Sequence, residues 1–272
     1  MHMNFHLCAT PEALVRALGE PGAIHPFTTL ASRYASRGGF ELVAFDRHVF
    51  RLLSTLQAIY PESYPPECSL IELEQELYKQ LRSVASLSSE RTRIKLAGSP
   101  EGIAILVQPY RAPWQPDAAI ALCSYAGERE RPEHKLNLSS DISHTARNAA
   151  LQQGAQEALL VSHDGVVREG AWSNFFWIDR DRKALVTPST RCLPGITRAL
   201  ILELAQGVLP VFVEDCSLAQ ILDSAIEACI TQATTGITAV ASIDGIQMQG
   251  AKSQSIVSLL QERYTALQGV LL

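Results

Sequence analysis

No stretch of the 272-residue chain approaches the ~20 unbroken apolar residues of a membrane helix, so a spanning segment is not expected. The six cysteines (Cys8, Cys68, Cys123, Cys192, Cys216 and Cys229) show no C-x-x-C spacing and no paired histidine spacing. That leaves neither a zinc site nor a redox pair, and they read as reduced, mostly buried thiols of a cytoplasmic protein. The first residues, Met1-His2-Met3-Asn4-Phe5-His6, lack a basic region followed by an apolar stretch, so no signal peptide is expected. Positive charge is not in excess: 23 Lys and Arg stand against 28 Asp and Glu, for a net charge of −5. A phosphate backbone rewards clustered positive charge, so nucleic acid is not an expected partner. No internal repeat or low-complexity tract is present. A hydrophobic share of 47% with 19% charged residues fits a globular chain with a real core, not a disordered or disulfide-framed one.

What is present alternates helical and strand patterns. A short helix is expected over Glu12 to Leu18, and a strand over Phe40 to Phe45 after a turn at Gly38-Gly39. Asp46 is the expected N-cap of a helix that carries Val49, Leu52, Leu53, Leu56 and Ile59. A second amphipathic helix covers Ser69 to Val84, followed by strands Thr92 to Ala97 and Gly102 to Val107. On the first of these, alternation places Arg91, Arg93 and Lys95 on one face, either solvated or turned to a ligand carboxylate.

The run from Pro109 to Pro116 holds three prolines in eight residues, which favour an extended connection over helix or central strand, and reads as an interdomain linker or a Pro-rich loop. The division expected is a small domain over residues 1–112, a linker over 113–117 and a large domain over 118–272. The second half reads as strand Ala118 to Ser124, helix Asp141 to Gln153, and strands Glu157 to Ser162, Val166 to Arg168, Asn174 to Ile178 and Ala184 to Thr187. Then come helix Ile196 to Leu204, strand Val208 to Val213, helix Leu218 to Leu222, strand Ala225 to Thr231, and a final helix over Ser253 to Leu267. Asp164-Gly165 and Asp244-Gly245 mark hairpin turns.

Four features carry potential chemistry, each with a plain alternative. Lys135, in Glu133-His134-Lys135-Leu136-Asn137, is a solvated charge or a reactive amine. Glu169 lies between apolar strands and a Gly170-Ala171 bend. A carboxylate buried there needs a partner, and it is otherwise a salt-bridged turn residue. Leu193-Pro194-Gly195-Ile196-Thr197-Arg198 starts a helix whose free N–H groups, with the Thr197 hydroxyl, suit an anion. Thr231-Gln232-Ala233-Thr234-Thr235-Gly236 is a second anion cradle or a polar loop.

In this order and spacing the four features resemble the fold-type IV family of pyridoxal-phosphate enzymes, which includes branched-chain and D-amino-acid aminotransferases and aminodeoxychorismate lyase. The resemblance is clearest from Gly154 to Ile178 and from Thr187 to Arg198. Phe27-Thr28-Thr29 looks like the family's first core strand. His48-x-x-Arg51-Leu52 resembles its His-x-x-Arg-Leu helix, and Ile237 to Gly245 its late strand and turn.

The resemblance implies a two-domain α+β fold, like that of the D-amino-acid aminotransferases, with mixed sheets and flanking helices. It also implies a homodimer with pyridoxal 5′-phosphate at the domain cleft, and no metal. Lys135 is implied as the catalytic lysine that forms the Schiff base. Glu169 is implied at the pyridine nitrogen, and Gly195, Ile196, Thr197 and Thr234 at the phosphate, with Arg51 reaching it from the first half. The activity implied is amino transfer between a small amino acid and a 2-oxo acid. The alternatives are the lyase, which releases pyruvate and 4-aminobenzoate from aminodeoxychorismate, and a relative that keeps the fold without the reaction.

This chain departs from the pattern in places. Lys135 stands two residues before Asn137 where many members have three, which puts His134 at the usual offset. Counted to Gly154, however, the separation of 154 − 135 = 19 resembles the branched-chain members. Ala233 falls where relatives often carry a phosphate-contacting Ser or Thr, and Gly236 where many have Glu.

Overall fold

The computed structural model describes residues 4–19, 23–34, 40–83, 92–114, 118–138, 142–248, 255–267 and 270–271. The Gly38-Gly39 turn, Arg91, Gln115 and Pro116 of the linker, and the expected helix starts at Asp141 and Ser253 lie outside these residues.

The first elements are β1 (Asn4–Cys8), α1 (Pro11–Ala17), β2 (His25–Tyr34), β3 (Phe40–Leu42), α2 (Phe45–Ile59) and α3 (Leu70–Arg82). Next are β4 (Thr92–Ser99), β5 (Gly102–Pro109), β6 (Ile120–Ala126), β7 (Leu136–Asn137), α4 (Ile142–Gln152) and β8 (Glu157–Val161). Then follow β9 (Val167–Gly170), β10 (Asn174–Asp179), β11 (Ala184–Thr187), α5 (Ile196–Ala205), β12 (Val211–Val213) and α6 (Leu218–Ser224). The last are β13 (Ala225–Gln232), β14 (Gly236–Ile243), β15 (Ile246–Gln247), α7 (Ile256–Ala266) and β16 (Val270–Leu271). The chain divides into two compact units. One is Met1–Arg111 with His134–Ser139 and Gln268–Leu272; the other is Ala112–Glu133 with Ser140–Leu267. The break at Arg111 falls beside the Pro-rich run, but the segment carrying Lys135 groups with the first unit, not with the second half of the chain.

In the first unit the strands run β1-β5-β4-β2-β3-β16, with β7 on β2. Alternation along β4 and β5 sorts side chains to two faces. Ile94, Leu96, Ile103 and Ile105 meet the leucines of α2 and α3, among them Leu52, Leu56, Leu73 and Leu77. Ala97, Ala104 and Leu106 meet Leu14 and Leu18 of the α1 segment. Gly102 has no alternative where β1 pairs with β5, because a Cβ there would stand 2.2 Å from the Asn4 carbonyl oxygen. α2 starts earlier than the sequence pattern suggests. Its N-cap is Ala44, in the left-handed region at φ 51, and Asp46 sits in the first turn. Phe45 is fully buried and packs edge-on against Tyr78 at 4.5 Å, so core packing overrides the polar cap preference.

In the second unit the order is β12-β11-β10-β13-β14-β6-β8-β9, with β15 on β14. The run Asn174-Phe175-Phe176-Trp177-Ile178 is apolar because β10 is covered on both faces. Phe175 and Trp177 face one cluster, while Phe176 and Ile178 face another that includes Ile201 of α5 and Leu260 of α7. α4 lays Ala146 and Ala150 on Ala158 and Leu160 of β8. At the β14–β15 turn Asp244 and Gly245 take φ 49 and 78, the pair of positive angles that a tight two-residue hairpin requires. The expected strand from Val208 shortens to Val211–Val213.

Candidate cofactor site

In the first unit, His48 and Arg51 lie three residues apart on α2 and so share a helix face. Both reach Thr28 of β2: Arg51 Nη2 donates to Thr28 Oγ1 at 2.8 Å, and that hydroxyl shares a 2.7 Å hydrogen bond with His48 Nδ1. Burial first, then the charges of Arg51 and Lys135, pushes the His48 imidazole well below its usual range, so the ring stays neutral. The His-x-x-Arg-Leu spacing thus has a physical basis: one threonine hydroxyl orients a neutral imidazole and a guanidinium, while Leu52 enters the core.

Lys135 precedes β7, whose residues pair with the start of β2, His25 with Asn137 and Pro26 with Leu136. The Phe27 N–H donates to the Lys135 carbonyl at 2.9 Å. Lys135 Nζ stands 5.1 Å from the centre of the Phe27 ring, and Lys95 Nζ stands 4.5 Å from it. Burial, reinforced by Arg93, lowers the Lys95 ammonium. Arg93 is exposed and bonds to Gln108, so the strand face carrying both residues is solvated at one position and packed on an aromatic ring at the other.

In the second unit, Glu169 of β9 is 3% exposed. It accepts from the Leu193 N–H at 3.0 Å, meets Asn174 Nδ2 at 3.4 Å and pairs with Arg129 at 3.3 Å. Asn174 also donates to the Leu193 carbonyl at 2.8 Å. This bracket holds the Leu193-Pro194-Gly195 segment just before α5. Gly195 is the N-cap and no side chain caps the helix, so the first-turn N–H groups of Ile196 and Thr197 have no intrahelical acceptor. A Cβ on Gly195 would stand 2.0 Å from Asn174 Oδ1, so any side chain there would push Asn174 out of its bracket.

The loop before α5 is fastened from below. Asp215 accepts from the Ser189 N–H at 2.8 Å and the Thr190 N–H at 3.0 Å, and from Arg168 at 2.9 Å. Burial raises the Asp215 carboxyl, but the hydrogen bonds from Thr190 and Ser189 outweigh it and hold the group at about 2. Arg168 also pairs with Glu128 at 3.0 Å. Consecutive residues Glu128-Arg129 and Arg168-Glu169 therefore form two crossed ion pairs, which sequence reading did not find.

Thr234, at the turn between β13 and β14, donates to Gln232 Oε1 at 3.4 Å. Three buried polar atoms of that turn region, Thr231 Oγ1, Gln232 Nε2 and Thr235 Oγ1, have no hydrogen-bond partner among the described residues. Thr231 stands opposite Asn174 in the β10–β13 pair, so the two side chains share a sheet face. The expected residues thus fall into two groups: Arg51 and Lys135 in the first unit, and Glu169, Gly195, Ile196, Thr197 and Thr234 in the second. Among the described residues no cluster of metal-ligating side chains occurs.

The class these features define is the fold-type IV α+β architecture. The structure resembles a branched-chain amino acid aminotransferase of Escherichia coli, with a TM-score of 0.75 at 23% identity over 90% of this chain and 86% of that one. It also resembles the pyridoxal-phosphate form of a branched-chain amino acid aminotransferase from Thermobaculum terrenum. There the TM-score is 0.75 at 22% identity, over 89% of this chain and 83% of that one. In sequence it is similar to a probable branched-chain-amino-acid aminotransferase of Aquifex aeolicus, 32% identical over 44% of this chain and 39% of the relative. The chain spans about two fifths of the length of the curated relatives it matches. The family model for amino-transferase class IV matches residues 27–243, and the chain belongs to that family.

Proposed function

We propose that the protein is a pyridoxal 5′-phosphate-dependent aminotransferase that moves an amino group between a small amino acid and a 2-oxo acid. The observation that carries this reading is the Glu169 bracket: a buried carboxylate hydrogen-bonded to the segment that leads into an uncapped helix start. The donor set fits the cofactor. A glycine with no room for a Cβ, first-turn N–H groups and unpartnered threonine hydroxyls suit phosphate oxygens, and an anchored carboxylate suits a protonated ring nitrogen. When bound, the cofactor supplies an aldehyde that captures amines and a cationic ring that draws negative charge from the substrate α-carbon.

In this reading Gly195, Ile196 and Thr197 hold the phosphate with Thr234, and Arg51 adds its guanidinium. Glu169 holds the proton on the ring nitrogen. Arg129 and the Leu193 N–H keep that carboxylate in place. Lys135 would hold the cofactor through its side-chain amine, and the same amine would carry the proton to and from the substrate α-carbon. The reading includes a homodimer and a cytoplasmic location; light scattering of the purified protein and cell fractionation test these.

The test is the visible spectrum of the purified protein. An aminotransferase is yellow, is bleached by an amino acid without acceptor, and regains its colour when a 2-oxo acid is added. Release of pyruvate from aminodeoxychorismate, with no bleaching by any L- or D-amino acid, would establish the lyase instead. A protein that stays colourless with added cofactor overturns both.

A further inference from the structure

Glu157, the first residue of β8, is fully buried, yet no step of the proposed reaction uses it. Its Oε1 accepts from the Trp172 N–H at 3.2 Å. Trp172 sits in the middle of the short turn that joins Glu169-Gly170 at the end of β9 to Asn174 at the start of β10. The turn folds back on itself: a Cβ on Gly170 would stand 2.1 Å from Ser173 Oγ, so any side chain there would displace the Ser173 hydroxyl. Beside it, Ala171 N–H donates to the Ala158 carbonyl at 2.9 Å, which fixes one residue of the turn to the strand that carries Glu157. From α4, Arg147 stacks on the Trp172 ring at 4.2 Å and His144 meets that ring edge-on at 5.3 Å. The Arg147 charge also acts on the Glu157 carboxyl. The two ends of the turn are Glu169 and Asn174, whose side chains meet each other and Leu193.

We propose that Glu157 is a positioning residue: by holding the Trp172 N–H it fixes the turn whose ends place Glu169 and Asn174. Glu157 touches neither substrate nor cofactor and acts through the backbone of this turn. The inference rests on the aminotransferase reading for its effect on rate, but the anchoring itself is a property of the chain alone. A carboxylate is not required for the anchor, only an acceptor oxygen of the same reach. Glu157→Gln therefore keeps the bond, and Glu157→Leu, of similar volume, removes it.

Two measurements test this. The first is hydrogen exchange of the peptide spanning residues 170–175, in protein with and without pyridoxal phosphate. The expected result is protection in the wild type and Glu157→Gln, with exchange at least about tenfold faster in Glu157→Leu. The second is steady-state kinetics on the folded, cofactor-loaded protein. The expected result is a kcat lowered about tenfold or more in Glu157→Leu with KM nearly unchanged, and wild-type kcat restored in Glu157→Gln. If Glu157→Leu does not fold, Trp172→Pro, which removes the same N–H from the other side, takes its place. Unchanged exchange over 170–175, or a Glu157→Gln variant as impaired as Glu157→Leu, overturns the proposal. A wild type that binds no cofactor sinks the aminotransferase reading instead, and the exchange data still decide whether Glu157 anchors the turn.

Discussion

At the residue scale, Glu169→Gln keeps the shape of the side chain and removes its charge. The Leu193 N–H keeps an acceptor, while Arg129 loses its buried partner. A step that needs the ring nitrogen protonated should slow by about two orders of magnitude, or about 3 kcal/mol of barrier. Cofactor affinity, read by titration of the visible band, should fall less than turnover. Unchanged turnover would make Glu169 a structural residue only. Glu157 gives a pH signature. Burial pushes its carboxyl up from the ordinary 4.5 to about 7, with Arg147 and nearby backbone N–H groups pulling the other way. Between those values the folded chain keeps a proton that the unfolded chain has released. Stability therefore falls as pH rises from about 4.5 to about 7 and levels off above. Denaturation midpoints of Glu157→Gln should lack this decline, so the difference from wild type should widen across that window. Glu169 was legible because its motif is contiguous. Arg129 was not: its partner lies 40 residues on, and it sits in a polar loop with nothing local to mark it.

At the element scale, the start of α5 is the most exacting piece of the second unit. Gly195→Ala puts a methyl group 2.0 Å from Asn174 Oδ1, so Asn174 or the helix start must move. Cofactor affinity should drop at least about tenfold, equivalent to about 1.4 kcal/mol, in a titration with pyridoxal phosphate. Equal affinity in wild type and variant would show that the phosphate binds elsewhere. This helix start was legible from Pro194-Gly195 alone. The start of α2 was not, because the sequence pattern favours Asp46 as a cap, whereas burial of Phe45 draws the helix back to Ala44. β1 escaped notice for another reason. Asn4–Cys8 has no strong pattern of its own and becomes a strand by lying parallel to β5, a partner about a hundred residues away. The two-residue β7 is likewise a product of its pairing with β2.

At the scale of the whole molecule, the α+β class and the family were legible because long apolar strands and amphipathic helices follow simple periods, and the Gly154 to Arg198 motifs are dense. The grouping of the Lys135 segment with the first unit was not legible: the polar run after β6 gives no hint that β7 returns to β2. Nor does local spacing choose between His134 and Lys135, since one count favours each. The account stands on Lys135 as the residue that carries the cofactor. Borohydride reduction of the protein loaded with pyridoxal phosphate, followed by peptide mapping, tests this most directly. The account predicts a single pyridoxyl group on Lys135, absent from Lys135→Ala. A label on Lys95 or any other lysine, or no stable label on a yellow protein, would contradict it.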